Sequence, residues 1–155
     1  MEISPTLVQE LSKHGISYDI ISHPYSEYSL NTARSVRIPE SELVKSVILE
    51  DDQGYIMALV PADQHVKIRQ VNQLLQRNVG LTTENTLQNI FCDCDPGAIP
   101  PVGEAYDLET IVDYHLDDCD DLYIEAGNHQ DLLHLSGSSF RKLMQHCRHA
   151  NICVH

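Results

Sequence analysis

Tryptophan is absent, and Phe and Tyr together supply only 6% of the 155 residues. The core must therefore be aliphatic, built from Leu, Ile and Val. Long apolar runs are missing too: nothing approaches the ~20 consecutive residues that a membrane-spanning helix needs. The N-terminal stretch MEISPTLVQELSKHG carries an acid at position 2 and no apolar segment, so it does not read as a secretory signal. Cations are scarce, with 10 Lys and Arg against 23 Asp and Glu and a net charge of −13. Phosphate contacts need clustered cations, so the charge argues against a broad nucleic-acid surface but leaves room for a local basic rim. The 5 cysteines are odd in number and lack the spacing of a disulfide framework. They read as reduced thiols, and the expectation is a soluble cytoplasmic protein.

What is present suits a single α/β domain over residues 1–155. Ser4-Pro5 looks like a cap and first helical position, with Gly15 as the stop, which predicts a helix over 5–14. SYDIIS (17–22) alternates like a strand, and residues 29–37 suit a short helix capped by Ser29. LVKSVILE and YIMALVP flank the turn DDQG, the strongest hairpin signal in the chain. In KIRQVNQLLQRN (67–78), Ile68, Val71, Leu74 and Leu75 recur at helical spacing, with Gly80 as the expected end. A short helix fits 84–90. TIVDYHL, DLYIEAG and DLLHLS follow as strand candidates, and SSFRKLMQHC (138–147) reads as a last helix capped by Ser138. Without a regular βαβ rhythm, the order predicts a mixed sheet with packed helices rather than a doubly wound one. The acids at Glu50–Asp52 and Asp113–Asp121 read as solvated turns.

Three places carry chemistry. Lys45 lies inside the apolar run LVKSVIL, where it either marks an exposed edge strand or projects into a polar pocket to fix a carbonyl or phosphate oxygen. CDCDPGAIPPVG (92–103) is stiffened by Pro96, Pro100 and Pro101, while Gly97 and Gly103 permit conformations or close approaches closed to other residues. It is either a rigid structural turn or a set of preorganised N–H donors at Gly97, Ala98 and Ile99 for a carbonyl oxygen. Asn128 and His129, in AGNHQ, leave the end of an apolar strand where polar side chains face a cleft; a lone histidine can equally be structural. Metal is disfavoured: Cys92-x-Cys94 and the tail residues His146, Cys147, His149, Cys153 and His155 lack the paired spacing of a zinc site. A thiol-dependent hydrolase using Cys94 is a further reading without a local signature.

Taken together, SHPYS, VKSVIL, LVPADQHV, FCDCDPGAIPPVG and YIEAGNHQDLLHLS resemble the YbaK/EbsC family, a domain associated with aminoacyl-tRNA synthetases and with prolyl-tRNA editing. The pieces occur in the family's order over roughly residues 16–144. The resemblance implies a curved mixed sheet and a stand-alone deacylase acting in trans on mischarged aminoacyl-tRNA, with no metal or organic cofactor. Lys45 would hold the ester or the terminal adenosine, and Gly97 to Pro101 would contact the aminoacyl carbonyl. Gly97 and His129 would join Lys45 as catalytic groups, with Ser46, Ala98, Ile99, Pro100, Pro101, Gly127 and Asn128 binding substrate. The implied partners are the 3′ acceptor end of tRNA and an aminoacyl-tRNA synthetase, with neither DNA nor a membrane. Arg34, Arg37, Lys67 and Arg69 are the expected tRNA contacts beside Lys45. The alanine-clearing branch has Asn after the lysine and the cysteine-clearing branch has Thr; Ser46 stands here, which leaves open a small amino acid such as Ala or Cys on proline tRNA or a related tRNA. The chemistry is coherent, because an aminoacyl ester is already activated and needs a positioned water and a stabilised oxyanion. The rival reading is a non-catalytic module that binds an aminoacyl-like ligand or a protein. A further expectation is that the loop Gly97–Pro101 faces Lys45 across one pocket.

Overall fold

The computed structural model describes residues 2–26, 29–95 and 97–153, without the side chains of Ser29, Leu30 and Glu84. The chain opens with α1 (Pro5–Lys13), whose cap Ser4 accepts from Leu7 N–H at 3.2 Å, as expected. β1 (Asp19–Ser22) and α2 (Ser29–Val36) follow. The capping role expected of Ser29 falls on a side chain outside the described residues. The predicted hairpin forms as β2 (Val44–Asp51) and β3 (Gly54–Pro61), paired antiparallel from Val44–Pro61 to Asp51–Gly54.

Beyond the hairpin come α3 (Ile68–Leu75), β4 (Gly80–Leu81) and α4 (Glu84–Ile90). α3 stops before the expected Gly80: Gln76 takes the left-handed conformation at φ 53° and closes the helix, leaving Gly80 to pair with Glu50. After the proline-rich loop come β5 (Glu109–Asp113), α5 (Tyr114–Asp117), β6 (Asp121–Glu125), β7 (Asp131–Ser136), α6 (Gly137–Leu143) and β8 (Arg148–Ala150). TIVDYHL is thus only half strand. Asp113 accepts from His115 N–H at 3.0 Å and caps α5, so the chain turns helical there. The cap of α6 is Ser136 rather than Ser138, accepting from Ser139 N–H at 3.1 Å.

Two sheets result, β1-β7-β6 and β4-β2-β3-β5-β8. The first is antiparallel; the second is mixed, with β5 parallel to both β3 and β8. Among the described residues a single parallel bridge, Leu43–Tyr123, joins them. Side chains alternate along each strand, so this bridge also tells the faces apart. Val44, Ile48 and Ile124 enter the main core with Leu7, Phe91 and Phe140. Leu43 and Tyr123 point the other way, under α2, with Ala33, Ala62 and Leu132. On that same face of β2, Val47 and Leu49 pack under α3 with Val71 and Ile152. Beyond Leu43–Tyr123 no further backbone pairing joins β2 to β6 among the described residues, so the two strands part like the arms of a fork.

Candidate active site

Lys45 lies on one arm of the fork, two residues past the bridge. It pairs with Val60, on the face shared by α2 and α3, and is half-buried. Its ammonium donates to the carbonyl oxygen of Gln64 at 2.6 Å. Burial lowers its pKa from the ordinary lysine value, and the negative charge of Asp63 works against that shift. This is neither an exposed edge lysine nor a paired one.

Ser46 necessarily points to the opposite face. There its hydroxyl donates to the carbonyl oxygen of Ile99 at 3.2 Å, tying β2 to the proline-rich loop. Along the other arm, β6 runs into Ala126, Gly127, Asn128 and His129, all buried. The loop is tied to that arm as well, since Asp95 N–H donates to Gly127 O at 2.7 Å. Asp95 and Ile99 therefore fasten the loop to the two arms of the fork.

Within the loop, Ala98 N–H closes a turn onto Asp95 O at 3.1 Å, with Gly97 at φ 81° in the third position. That is the left-handed conformation a type II turn demands. Of the three donors expected for a carbonyl oxygen, Ala98 is thus already engaged. The N–H groups of Gly97 and Ile99 have no partner among the described residues. Pro100 and Pro101 are buried, and Pro100 O accepts from Val102 N–H at 2.9 Å. Pro96 lies outside the described residues. Gly103 serves close approach: a Cβ there would sit 2.2 Å from Thr110 Oγ1. Against the loop lies an apolar cavity of about 90 Å³, lined by Leu87, Phe91, Cys94, Gly97 and Ile99 among others. Neither Lys45 nor His129 lines it. The cavity against the loop does not include Lys45: neighbouring residues of β2 alternate faces, and it is Ser46 that ties the strand to Ile99.

Gly127 (φ 94°) lies so close to the N-terminus that a Cβ would come within 2.9 Å of Ser4 Cβ. Asn128 Oδ1 accepts from the N–H groups of Gln130 and Asp131 at 3.0 and 2.8 Å, and its Nδ2 donates to Asp131 Oδ2 at 2.9 Å. Its amide thereby holds the turn after β6. The His129 ring, 2% exposed, meets Tyr25 edge-on at 5.3 Å, and its carbonyl accepts from Ser26 N–H at 3.1 Å. The Tyr25 ring, mostly exposed, thus borders the second arm.

The cysteines that open the loop have a structural setting. Asp93 accepts from Ser4 Oγ (2.6 Å), Tyr106 Oη (2.8 Å), Thr6 N–H (3.2 Å) and Cys94 Sγ (3.2 Å). Burial opposes its ionisation, yet these hydrogen bonds outweigh it and hold the carboxyl well below the usual range. Cys94 is buried, which pushes its thiol up to about 12, so it is a poor nucleophile at neutral pH. Its burial and its contacts with Asp93 and Tyr106 give it a structural place beneath the loop.

A grouping that the spacing did not reveal joins Asp113, His115 and Cys153, with ligand-type atoms within 4.8 Å of one another. Asp113, grouped in sequence with solvated acids, is in fact fully buried. Its Oδ1 accepts from Ile152 N–H at 3.0 Å, and its Oδ2 lies 2.9 Å from His115 Nδ1. Burial lifts the Cys153 thiol to about 12. The trio is the one described set that could hold a metal, and Asp113 also ties the C-terminal segment to the end of β5 through Ile152 N–H. His155 lies outside the described residues.

Comparison with known proteins agrees with this architecture. Proline–tRNA ligase from Exiguobacterium sibiricum is 31% identical over 78 residues, covering 50% of this chain but only 13% of the ligase. Among solved structures, hypothetical protein APE2540 superposes with a TM-score of 0.85 at 20% identity, covering 96% of this chain and 99% of that one. A proposed trans-editing enzyme for prolyl tRNA synthetase gives 0.85 at 17% identity, over 99% and 100% of the two chains. A proposed signal transduction protein from Marinobacter aquaeolei VT8 gives 0.79 at 18% identity, with 99% of this chain on 31% of that one. At such identities these structures establish a shared fold. No described helix is long and apolar enough to cross a membrane. The profile described as the aminoacyl-tRNA editing domain matches residues 26–143, from the approach to α2 to the end of α6, and the chain belongs to that family.

Proposed function

We propose that the protein is an aminoacyl-tRNA deacylase acting in trans, which hydrolyses the ester of a mischarged tRNA carrying a small amino acid such as alanine or cysteine. Proline tRNA or a related tRNA is the proposed carrier. The observation that carries the reading is the fork itself. β2 and β6 part just beyond Leu43–Tyr123, Lys45 stands on one arm, His129 ends the other, and the loop is tied to both through Ile99 and Asp95.

In this reading the 3′ end of the tRNA enters the fork from the face shared by α2 and α3. Arg34 on α2, Arg37 just past it, and Lys67 and Arg69 at the start of α3 are exposed around that face and would meet phosphates. Lys45 orients the ester or the terminal adenosine. Water attacks the aminoacyl carbonyl carbon, and the oxygen that becomes negative is received by the N–H groups of Gly97 and Ile99. Collapse of the tetrahedral intermediate breaks the bond to the ribose oxygen, which takes up a proton as it leaves. The products are a free amino acid and an intact tRNA. His129 positions the water or the substrate, and the loop turn fixes donors before substrate arrives, where preorganisation contributes most. A second site of this kind complements a synthetase that separates small apolar side chains poorly by binding alone.

Incubation of the full chain with a panel of mischarged tRNAs tests this directly. Loss of the aminoacyl group from at least one of them is expected. A folded protein that deacylates none would overturn the enzyme reading. Binding of an aminoacyl-adenosine analogue without any turnover would assign a non-catalytic module instead.

A further inference from the structure

Glu125 is the last residue of β6, immediately before the segment that leads to His129. It is 6% exposed, and its Oε2 is buried with no hydrogen-bond partner. Among the described residues the carboxyl makes no ion pair either. A buried carboxyl with no partner is costly, and β6 offers no structural reason for it: a leucine would suit its neighbours Tyr123 and Leu132 better.

The register locates the side chain. Leu43 and Tyr123 are bridged in parallel, so two residues further along each strand, Lys45 and Glu125 occupy the next positions on the same face. Its direct partner on β7, Leu132, lies in the cluster under α2 with Leu43 and Ala62. Thus the two arms of the fork carry one cation and one acid on one face. They do not neutralise each other. The Lys45 ammonium is turned to Gln64 O at 2.6 Å, and burial alone, with no charged neighbour, sets the ionisation of Glu125.

An aminoacyl ester brings a single cation, the α-ammonium group, two bonds from the carbonyl carbon whose oxygen the loop would hold. We propose that Glu125 is the specificity residue that receives this α-ammonium group and selects esters whose amine is free. The inference rests on the editing reading above. In the empty protein the acid keeps its proton, because burial raises its pKa to about 8. The arriving ammonium supplies the compensating charge, the carboxyl releases its proton to solvent, and the N–H groups of the ammonium donate to its oxygens. Lys45, on the opposite arm, keeps the cationic end from binding in the reverse sense. An amide nitrogen, as in a peptidyl or N-acetylated ester, can neither charge nor donate in that way. The site would then spare esters whose amine has already been acylated.

The test compares aminoacyl-tRNA with its N-acetylaminoacyl counterpart as substrates for the wild-type chain and for Glu125→Gln. The wild type should prefer the free amine by about 100-fold in kcat/KM. Glu125→Gln should lose most of that preference through a higher KM for the free-amine substrate alone. Equal hydrolysis of both substrates by the wild type overturns the proposal without any variant. So does undiminished preference in a folded Glu125→Gln protein. A wild type that deacylates neither substrate, yet binds a non-hydrolysable 3′-aminoacylamido-adenosine more tightly than its N-acetyl form, would sink the enzyme reading and leave the Glu125 assignment standing.

Discussion

Replacing Glu125 with Gln should remove a pH dependence from the stability of the folded chain. The carboxyl has 6% of its surface exposed and no partner for Oε2, so nothing compensates the loss of hydration when it ionises. Burial moves it from the ordinary 4.5 up to about 8. Between these values the folded state keeps a proton that the unfolded chain has released. The resulting stabilisation is fully present below pH 4.5 and is lost as the pH rises through 8. At about 1.4 kcal/mol per pH unit the whole interval corresponds to roughly 5 kcal/mol, a large share of a typical domain's 5–15 kcal/mol. That figure is a ceiling, since water following the charge into the fork would reduce it. Glutamine has nearly the same shape and does not titrate, so its own cost is independent of pH. Urea unfolding of both proteins, followed by circular dichroism between about pH 5 and 9, isolates the effect, because every other group cancels in the difference. The advantage of the variant should climb by about 1.4 kcal/mol per pH unit and level off near pH 8. A difference that stays constant across the range would refute the argument that burial alone holds the proton.

Lys45→Ala should abolish turnover on mischarged tRNA while leaving the unfolding midpoint within about 1 kcal/mol of wild type, since the ammonium makes one hydrogen bond at the sheet margin; steady-state deacylation with denaturant unfolding checks both halves. Gly127→Ala should destabilise by about 2–3 kcal/mol, because a left-handed φ and a 2.9 Å approach to Ser4 Cβ act together; an unchanged midpoint would show that the N-terminus yields. Asp93→Ala strands Ser4, Tyr106 and Cys94 and should cost about 2–4 kcal/mol at neutral pH. Because the native Asp93 carboxyl titrates below its unfolded value, its contribution is present above that value and lost as the pH falls. The variant should therefore lose less stability than wild type on acidification, which an acid titration of the unfolding midpoint would detect.

Much of the fold was legible because its signals are local. The hairpin followed from two apolar runs around an acidic turn, and the first helix from Ser4-Pro5. Boundaries failed where a distant contact decided them. Ser136 replaces Ser138 as the cap of α6 because Gly137 must pass against the Cys119 carbonyl, where a Cβ would stand 2.1 Å away. β8 has three residues and pairs in parallel with β5, which no local pattern encodes. The proline-rich loop was singled out for its amides, two of which stay available, but the tie through Ser46 depends on which face of β2 each residue takes. Glu125 carries the same local signal as Lys45, an ionisable residue within an apolar strand. Only the bridge between Leu43 and Tyr123 makes the two a pair.

The Ser4–Asp93 hydrogen bond closes a separation of 89 residues. The loop that would hold the substrate carbonyl thus takes its rigidity from the first turn of the first helix. Closing so long a loop carries an entropic cost that precedes any reward from the contact. A change that weakens the cap of α1 would therefore slacken the loop as well.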